Sequence, residues 1–179
     1  MQAKGRQEPP MGLLRRLDAG ARAGFPAVFT AFLIIFAAVP VDVPGLIAAL
    51  ALPGIFFWTI FRPAAMPAPV VFLLGLLQDL LSFSPLGAGI LTLLVVHGVA
   101  LRWRDVLVRQ SFLSAWLIYC AFAAGAAALG WGLEAVLGWH IPPTMPALAQ
   151  VGISVGLYPV LAWALTRLHT AMHRAELAL

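Results

Sequence analysis

Charge is what this 179-residue sequence has least of. Eleven Lys and Arg with seven Asp and Glu make up 10% of the chain, where a soluble domain carries about 25%. Hydrophobic residues supply 62%, and the mean hydropathy is +0.96. A soluble core of this length cannot hide so much apolar surface, so lipid is the solvent that fits the composition. Cysteine is scarcer still: Cys120 alone, inside an apolar run, excludes a disulfide framework within the chain. A Walker A loop, an H-E-x-x-H motif and Cys/His metal spacing are all missing. No pair of inward carboxylates suggests acid–base chemistry, and no polar stretch is long enough for a nucleotide-binding domain. The sequence therefore offers no cofactor or metal site and no chemistry for an enzyme. A net charge of +4 would suggest nucleic acid in a soluble protein, but here the positions of the charges matter more than their sum.

What is present is a series of six apolar segments, at about 25–40, 45–61, 69–82, 86–101, 110–137 and 147–166. They predict an all-α integral membrane protein, a polytopic bundle of about six transmembrane helices. A polar, basic segment precedes it over 1–24, the membrane domain runs over 25–168, and a short tail occupies 169–179. The polar start lacks the shape of a cleaved signal. A full span takes roughly 20 residues, so the first four segments are short and the fifth is long enough to tilt. Proline-rich stretches at 39–45, 62–69, 82–87 and 140–146 separate them. Pro53 and Pro159 fall inside spans and are expected to kink them. Lys4, Arg6, Arg15, Arg16, Arg22, Arg62, Arg102, Arg104, Arg109, Arg167 and Arg174 are all the basic residues of the chain. With six spans, all of them fall on one side. The positive-inside rule then sets both termini in the cytoplasm of a multi-pass inner-membrane protein. Trp58, Trp103 and Trp139 lie near segment ends, as interfacial anchors do.

Against this background Gln78 and Asp79, in the apolar stretch "GLLQDLLSFSPLGAG" at 75–89, need an explanation. A carboxylate in hydrocarbon costs several kcal/mol or more. Two placements fit: Asp79 reaches the outer headgroup region, or it faces the bundle interior. In the second placement the next segment begins at "SPLGAG", and its free N–H groups form a positive helix end that a carboxylate can accept from. Ser82 and Ser84 can serve the same turn. His97 lies well inside a span and reads as an interhelical hydrogen-bonder rather than a proton relay. Glu134 reads as an interfacial carboxylate or as a contact to the outer domain of a partner. Gly152 and Gly156, four apart, and the Ala121/Gly125 and Ala126/Gly130 pairs let helices approach closely, within the chain or across to a partner.

The stretch "FLLGLLQDLLSFSPLGAGILTLLVVH" resembles the signature of the MreD family of rod shape-determining membrane proteins, a G-L-x-x-D-L-L-S segment followed by a P-L-G turn. "FWTIFRP" with its following "MP", and "LYPVLAWAL" in the last segment, are similar to further pieces of that family, and the resemblance covers roughly residues 25–170. It implies that Gly75, Asp79, Pro85 and Gly87 occupy one motif, with Ser82 in its turn, and Tyr158 and Pro159 a second. It implies a non-enzymatic scaffold of the bacterial cell-elongation complex that supports peptidoglycan synthesis along the lateral wall. The implied partners are MreC and, through it, MreB, RodA and a penicillin-binding transpeptidase, with membrane lipid as surroundings and no nucleic acid. The family also resembles, distantly, the substrate-binding components of energy-coupling-factor vitamin transporters. That implies the alternative of a small-molecule-binding membrane component. For such a ligand Gln78, Asp79, His97 and Glu134 are the polar candidates, and four are few.

Overall fold

A computed structural model of the chain describes residues 13–39, 43, 45–82 and 84–177. The described residues form seven helices and no strand: α1 (Leu13–Ala37), α2 (Leu46–Phe61), α3 (Ala68–Ser82), α4 (Ala88–Arg102), the single-turn α5 (Arg104–Leu107), α6 (Phe112–Gly138) and α7 (Met145–Leu177). A 3₁₀ turn, Pro63–Ala65, links α2 to α3. By length and composition, α6 and the Met145–Arg167 part of α7 are long and apolar enough to cross a membrane, and four shorter apolar helices accompany them. The six apolar segments of the sequence coincide with α1, α2, α3, α4, α6 and α7. The helices at the two ends of the chain extend further than those segments. α1 begins at Leu13 and α7 runs to Leu177, because Arg, Leu and Ala on the polar flanks are good helix formers in water as well. Residues 1–12 of the polar N-terminal segment and 178–179 of the tail lie outside the described residues.

α2 is the centre of the bundle. Its sequence, LIAALALPGIFFWTIF, is apolar on every side, the pattern of a helix buried all round. Every residue from Ala49 to Ile60 is buried, and α1, α3, α4 and α7 pack around it. α6 reaches it through Phe56, whose ring stands edge-on to Tyr119 (5.2 Å) and Phe122 (4.9 Å). This overturns one expectation. Trp58 is no interfacial anchor but a core residue, 0% exposed, because α2 stays enclosed as far as Ile60. Trp103 (59% exposed) and Trp139 (94%) are at the surface. The outside is apolar: Phe32 and Phe36 of α1, Leu73 of α3, Val95 of α4, Leu117 of α6 and Trp163 of α7 are exposed, while Thr30, Thr59, Gln78, Asp79, Thr92, His97 and Ser154 are buried. A surface carrying so many large apolar side chains suits lipid rather than water.

Polar groups join helices where the backbone leaves an acceptor free. Pro159 lies within an uninterrupted α7. It has no N–H to give Val155 O, and Trp116 Nε1 of α6 donates to that oxygen instead, at 3.2 Å. One turn away Tyr158 stacks on Tyr119 (3.9 Å between ring centres, 16° between planes), and Tyr119 is hydrogen-bonded to Ser154. His97 of α4 bonds Thr59 of α2 through Nδ1 (2.9 Å), the interhelical role expected of it. Arg104 Nε donates to Ile60 O (2.8 Å), satisfying a carbonyl at the end of α2.

Candidate functional site

α4 begins at Gly87, which has φ +106° and no side chain to cap the helix. The free N–H groups of the first turn must bond elsewhere if they are buried, and each can be accounted for. Ala88 N donates to Pro85 O (3.2 Å) and Leu91 N to Gly87 O (2.9 Å). Gly89 N donates to Asp79 Oδ1 (2.7 Å), and Ile90 N to Asp79 Oδ2 (3.3 Å). Asp79 Oδ2 also accepts from Gly87 N (2.8 Å). The carboxylate near the end of α3 thus does for α4 what an N-cap side chain does for its own helix, and it also meets the positive end of the α4 dipole. At 2% exposed, Asp79 does not reach solvent or headgroups. Ser82 Oγ donates to Gln78 O (2.8 Å) and lies 3.0 Å from Ser84 Oγ. Ser84 Oγ donates to Glu134 Oε1 of α6 at 3.4 Å.

Two glycines make the arrangement possible. A Cβ on Gly75 would stand 2.7 Å from Ile90 Cα, so α3 and α4 touch backbone to backbone there, as small residues allow. A Cβ on Gly89 would strike the Asp79 carboxylate and stand 2.7 Å from Gln78 Nε2. Gly89 is not part of the family motif read from the sequence. The signal that could have found it is the second glycine of "GAG", set opposite a buried carboxylate. Gly89→Ala is expected to push Asp79 off its donors and cost about 2–3 kcal/mol, as overpacking beside a lost buried hydrogen bond does. A lowered midpoint of thermal unfolding in detergent checks this; an unchanged midpoint contradicts it.

The cap forms the floor of a cavity of about 690 Å³. It opens at the end of the bundle opposite Arg62, Arg102, Arg104, Arg109 and Arg167. α3 and α4 have 15 residues each, about 22 Å of helix, whereas α6 has 27, and its end, with the loop into α7, rises past the α3–α4 turn. Trp131 Nε1 pins that loop by donating to Pro142 O (3.0 Å). The turn into α2 closes the opposite wall at Gly45, where a Cβ would meet Pro146 O at 2.6 Å.

The cavity gathers Gln78, Asp79 and Glu134 with Ser82, Ser84, Thr92, His140 and Gln150. The expectation of four scattered polar candidates is corrected in both directions. His97 is not among them, and the α6–α7 loop and the start of α7 contribute polar groups that sequence spacing could not bring together. Asp79 has both oxygens engaged by its three donors. Gln78 differs: the residue is 7% exposed, and its Oε1 is buried without a hydrogen-bond partner. Tyr158 and Pro159 lie away from the cavity, in the α6–α7 contact. Gly152 and Gly156 are exposed on α7 with nothing within 4 Å of a Cβ placed there. The letters Gly152-Ile153-Ser154-Val155-Gly156 spell a G-x-S-x-G string. A nucleophile elbow requires a strand-to-helix turn, whereas Ser154 is 0% exposed in mid-helix and bonded to Tyr119.

The model of the family described as rod shape-determining protein MreD matches residues 24–163, a stretch that includes the α3–α4 cap and every wall of the cavity. No curated protein and no solved structure matches the chain. With most of its length matched, the chain belongs to the MreD family, and its role lies in rod-shape determination.

Proposed function

We propose that the chain is a non-enzymatic membrane scaffold with six spans and both ends in the cytoplasm, and that the cavity, facing outward, receives the membrane-proximal outer segment of an MreC-like single-span partner. The observation that carries this reading is the orphaned Gln78 Oε1 on the wall of an open, polar cavity. A buried acceptor without a donor costs about 1–3 kcal/mol, and a peptide entering from outside brings backbone N–H groups that would meet it. The partner's span packs on the small-residue surface at Gly152 and Gly156, because association in lipid draws on close packing and not on the hydrophobic effect. Through this partner the scaffold connects to MreB, RodA and a penicillin-binding transpeptidase, and so to peptidoglycan synthesis along the lateral wall. The side assignment rests on the eleven basic residues, all on one side of a six-span reading.

One observation favours a second reading. A volume of about 690 Å³ is of the size of small-molecule sites, roughly 300–1,000 Å³, which suits a vitamin-type ligand in a transporter component. One assay separates the two. With Cys120 replaced by Ala, a cysteine at Gly130 lines the cavity, since a Cβ there meets only Thr92 Oγ1, at 3.6 Å. A membrane-impermeant thiol reagent added outside is expected to label it in the lone chain and to be blocked when the MreC-like protein is co-expressed. Labelling only from the cytoplasmic side contradicts the topology, and labelling unchanged by the partner contradicts the docking. Tight binding of a vitamin by the purified chain alone favours the transporter reading.

A further inference from the structure

We propose that the segment received by the cavity is cationic, bringing an Arg or Lys side chain to Glu134 while a donor of the same segment meets Gln78 Oε1. This inference rests on the docking reading above and goes beyond it by naming the chemistry of the occupant. Among the described residues, the lining of the cavity has two carboxylates, Asp79 and Glu134, and no Lys or Arg. The two are not equivalent. Asp79 is spent on the N–H groups of Gly87, Gly89 and Ile90. Glu134 has a single long hydrogen bond, 3.4 Å from Ser84 Oγ, and no ion pair joins it to any described residue. His140, the other titratable group among the described lining residues, has Nδ1 3.0 Å from the Gly138 carbonyl.

Ala126, Ala127 and Trp131 add apolar surface to the same cavity. A charge pair formed there is screened less than one in open water and is correspondingly stronger. The second unmet group, the buried Gln78 Oε1, is also an acceptor. Both unmet groups therefore ask for donors. Guanidinium supplies five and carries the charge as well, while ammonium supplies three. The same inventory excludes an anionic occupant. Among the described residues a lipid phosphate would meet two carboxylates and no cation, with the donors of the α4 first turn already taken.

The test uses the full chain in lipid nanodiscs and the full-length MreC-like protein of the same organism, with the dissociation constant measured between about 0.05 and 0.5 M salt. The wild-type chain is expected to bind more weakly as salt rises. Glu134→Gln is expected to weaken binding about tenfold at low salt, the effect of losing one charge-assisted hydrogen bond, and to flatten the salt dependence. Glu134→Arg is expected to abolish binding, with recovery when a basic residue of the partner's membrane-proximal segment is changed to Glu. That rescue cannot arise from a misfolded variant. Gly130→Trp, which fills the cavity and leaves its charge alone, separates the two readings. If Gly130→Trp loses the partner while Glu134→Gln binds as the wild type with the same salt dependence, the docking reading stands and the cationic occupant is refuted. If neither variant loses the partner, both fail.

Discussion

Asp79→Ala is expected to remove most of the folded protein from the membrane fraction and to cost about 3–5 kcal/mol of stability in what remains. Three N–H groups, of Gly87, Gly89 and Ile90, lose their acceptor at once. A water molecule cannot simply replace it, because the site is 2% exposed and alanine leaves no polar side chain to share. Asp79→Asn is the milder change, though less mild than one retained oxygen suggests. Both carboxylate oxygens are in use, so an amide keeps one of them and turns an NH₂ toward a donor. With its oxygen toward Gly87 and Ile90, Asn leaves Gly89 N–H facing Nδ2. The expected order of unfolding midpoints in detergent is wild type, then Asn, then Ala. An alanine variant with wild-type level and midpoint contradicts the capping role.

Gly130→Trp is expected to fold normally and yet lose its partner by roughly 100-fold or more, the range of a blocked interface centre. The site can accept a side chain, since a Cβ there makes only an ordinary contact with Thr92, and replacing a mid-helix glycine favours the helix. The indole would then occupy the space proposed for the partner's segment. Cells depleted of their own MreD-family protein should stay rounded when supplied with this variant and recover rod shape with Gly98→Leu. Gly98 is exposed on α4 with nothing within 4 Å, so the second change tests bulk in a helix away from the cavity. Capture of the partner by Gly130→Trp at wild-type strength contradicts a role for the cavity.

Much of the fold is legible in the sequence because lipid leaves few choices. The apolar segments had to be helices, and proline and glycine mark where they stop. Asp79 is legible for the same reason: a carboxylate in such a run must find donors, and a helix start ten residues on supplies them. Three things are not legible, each for a physical reason. The central position of α2 depends on how the other helices wrap around it, so Trp58, at the end of an apolar segment, reads as an anchor when it is core. The contact of Gly89 with Asp79 depends on the distance between two helices, which no spacing encodes. The cavity draws Gln78, Glu134, His140 and Gln150 from three separate parts of the chain. Sequence separation hides such convergence even where every polar residue in it is visible.

Disulfide mapping tests directly the proposal that the cavity holds a segment of the MreC-like partner. With Cys120 replaced by Ala and cysteine at Gly130, single cysteines are introduced along the partner from its span into the residues just outside the membrane, and the pairs are oxidised in intact membranes. Cross-links are expected from Gly130→Cys to a short run of residues immediately beyond the partner's span. Cross-links that form only between Gly152→Cys and the span itself, with none from Gly130→Cys, would contradict that proposal.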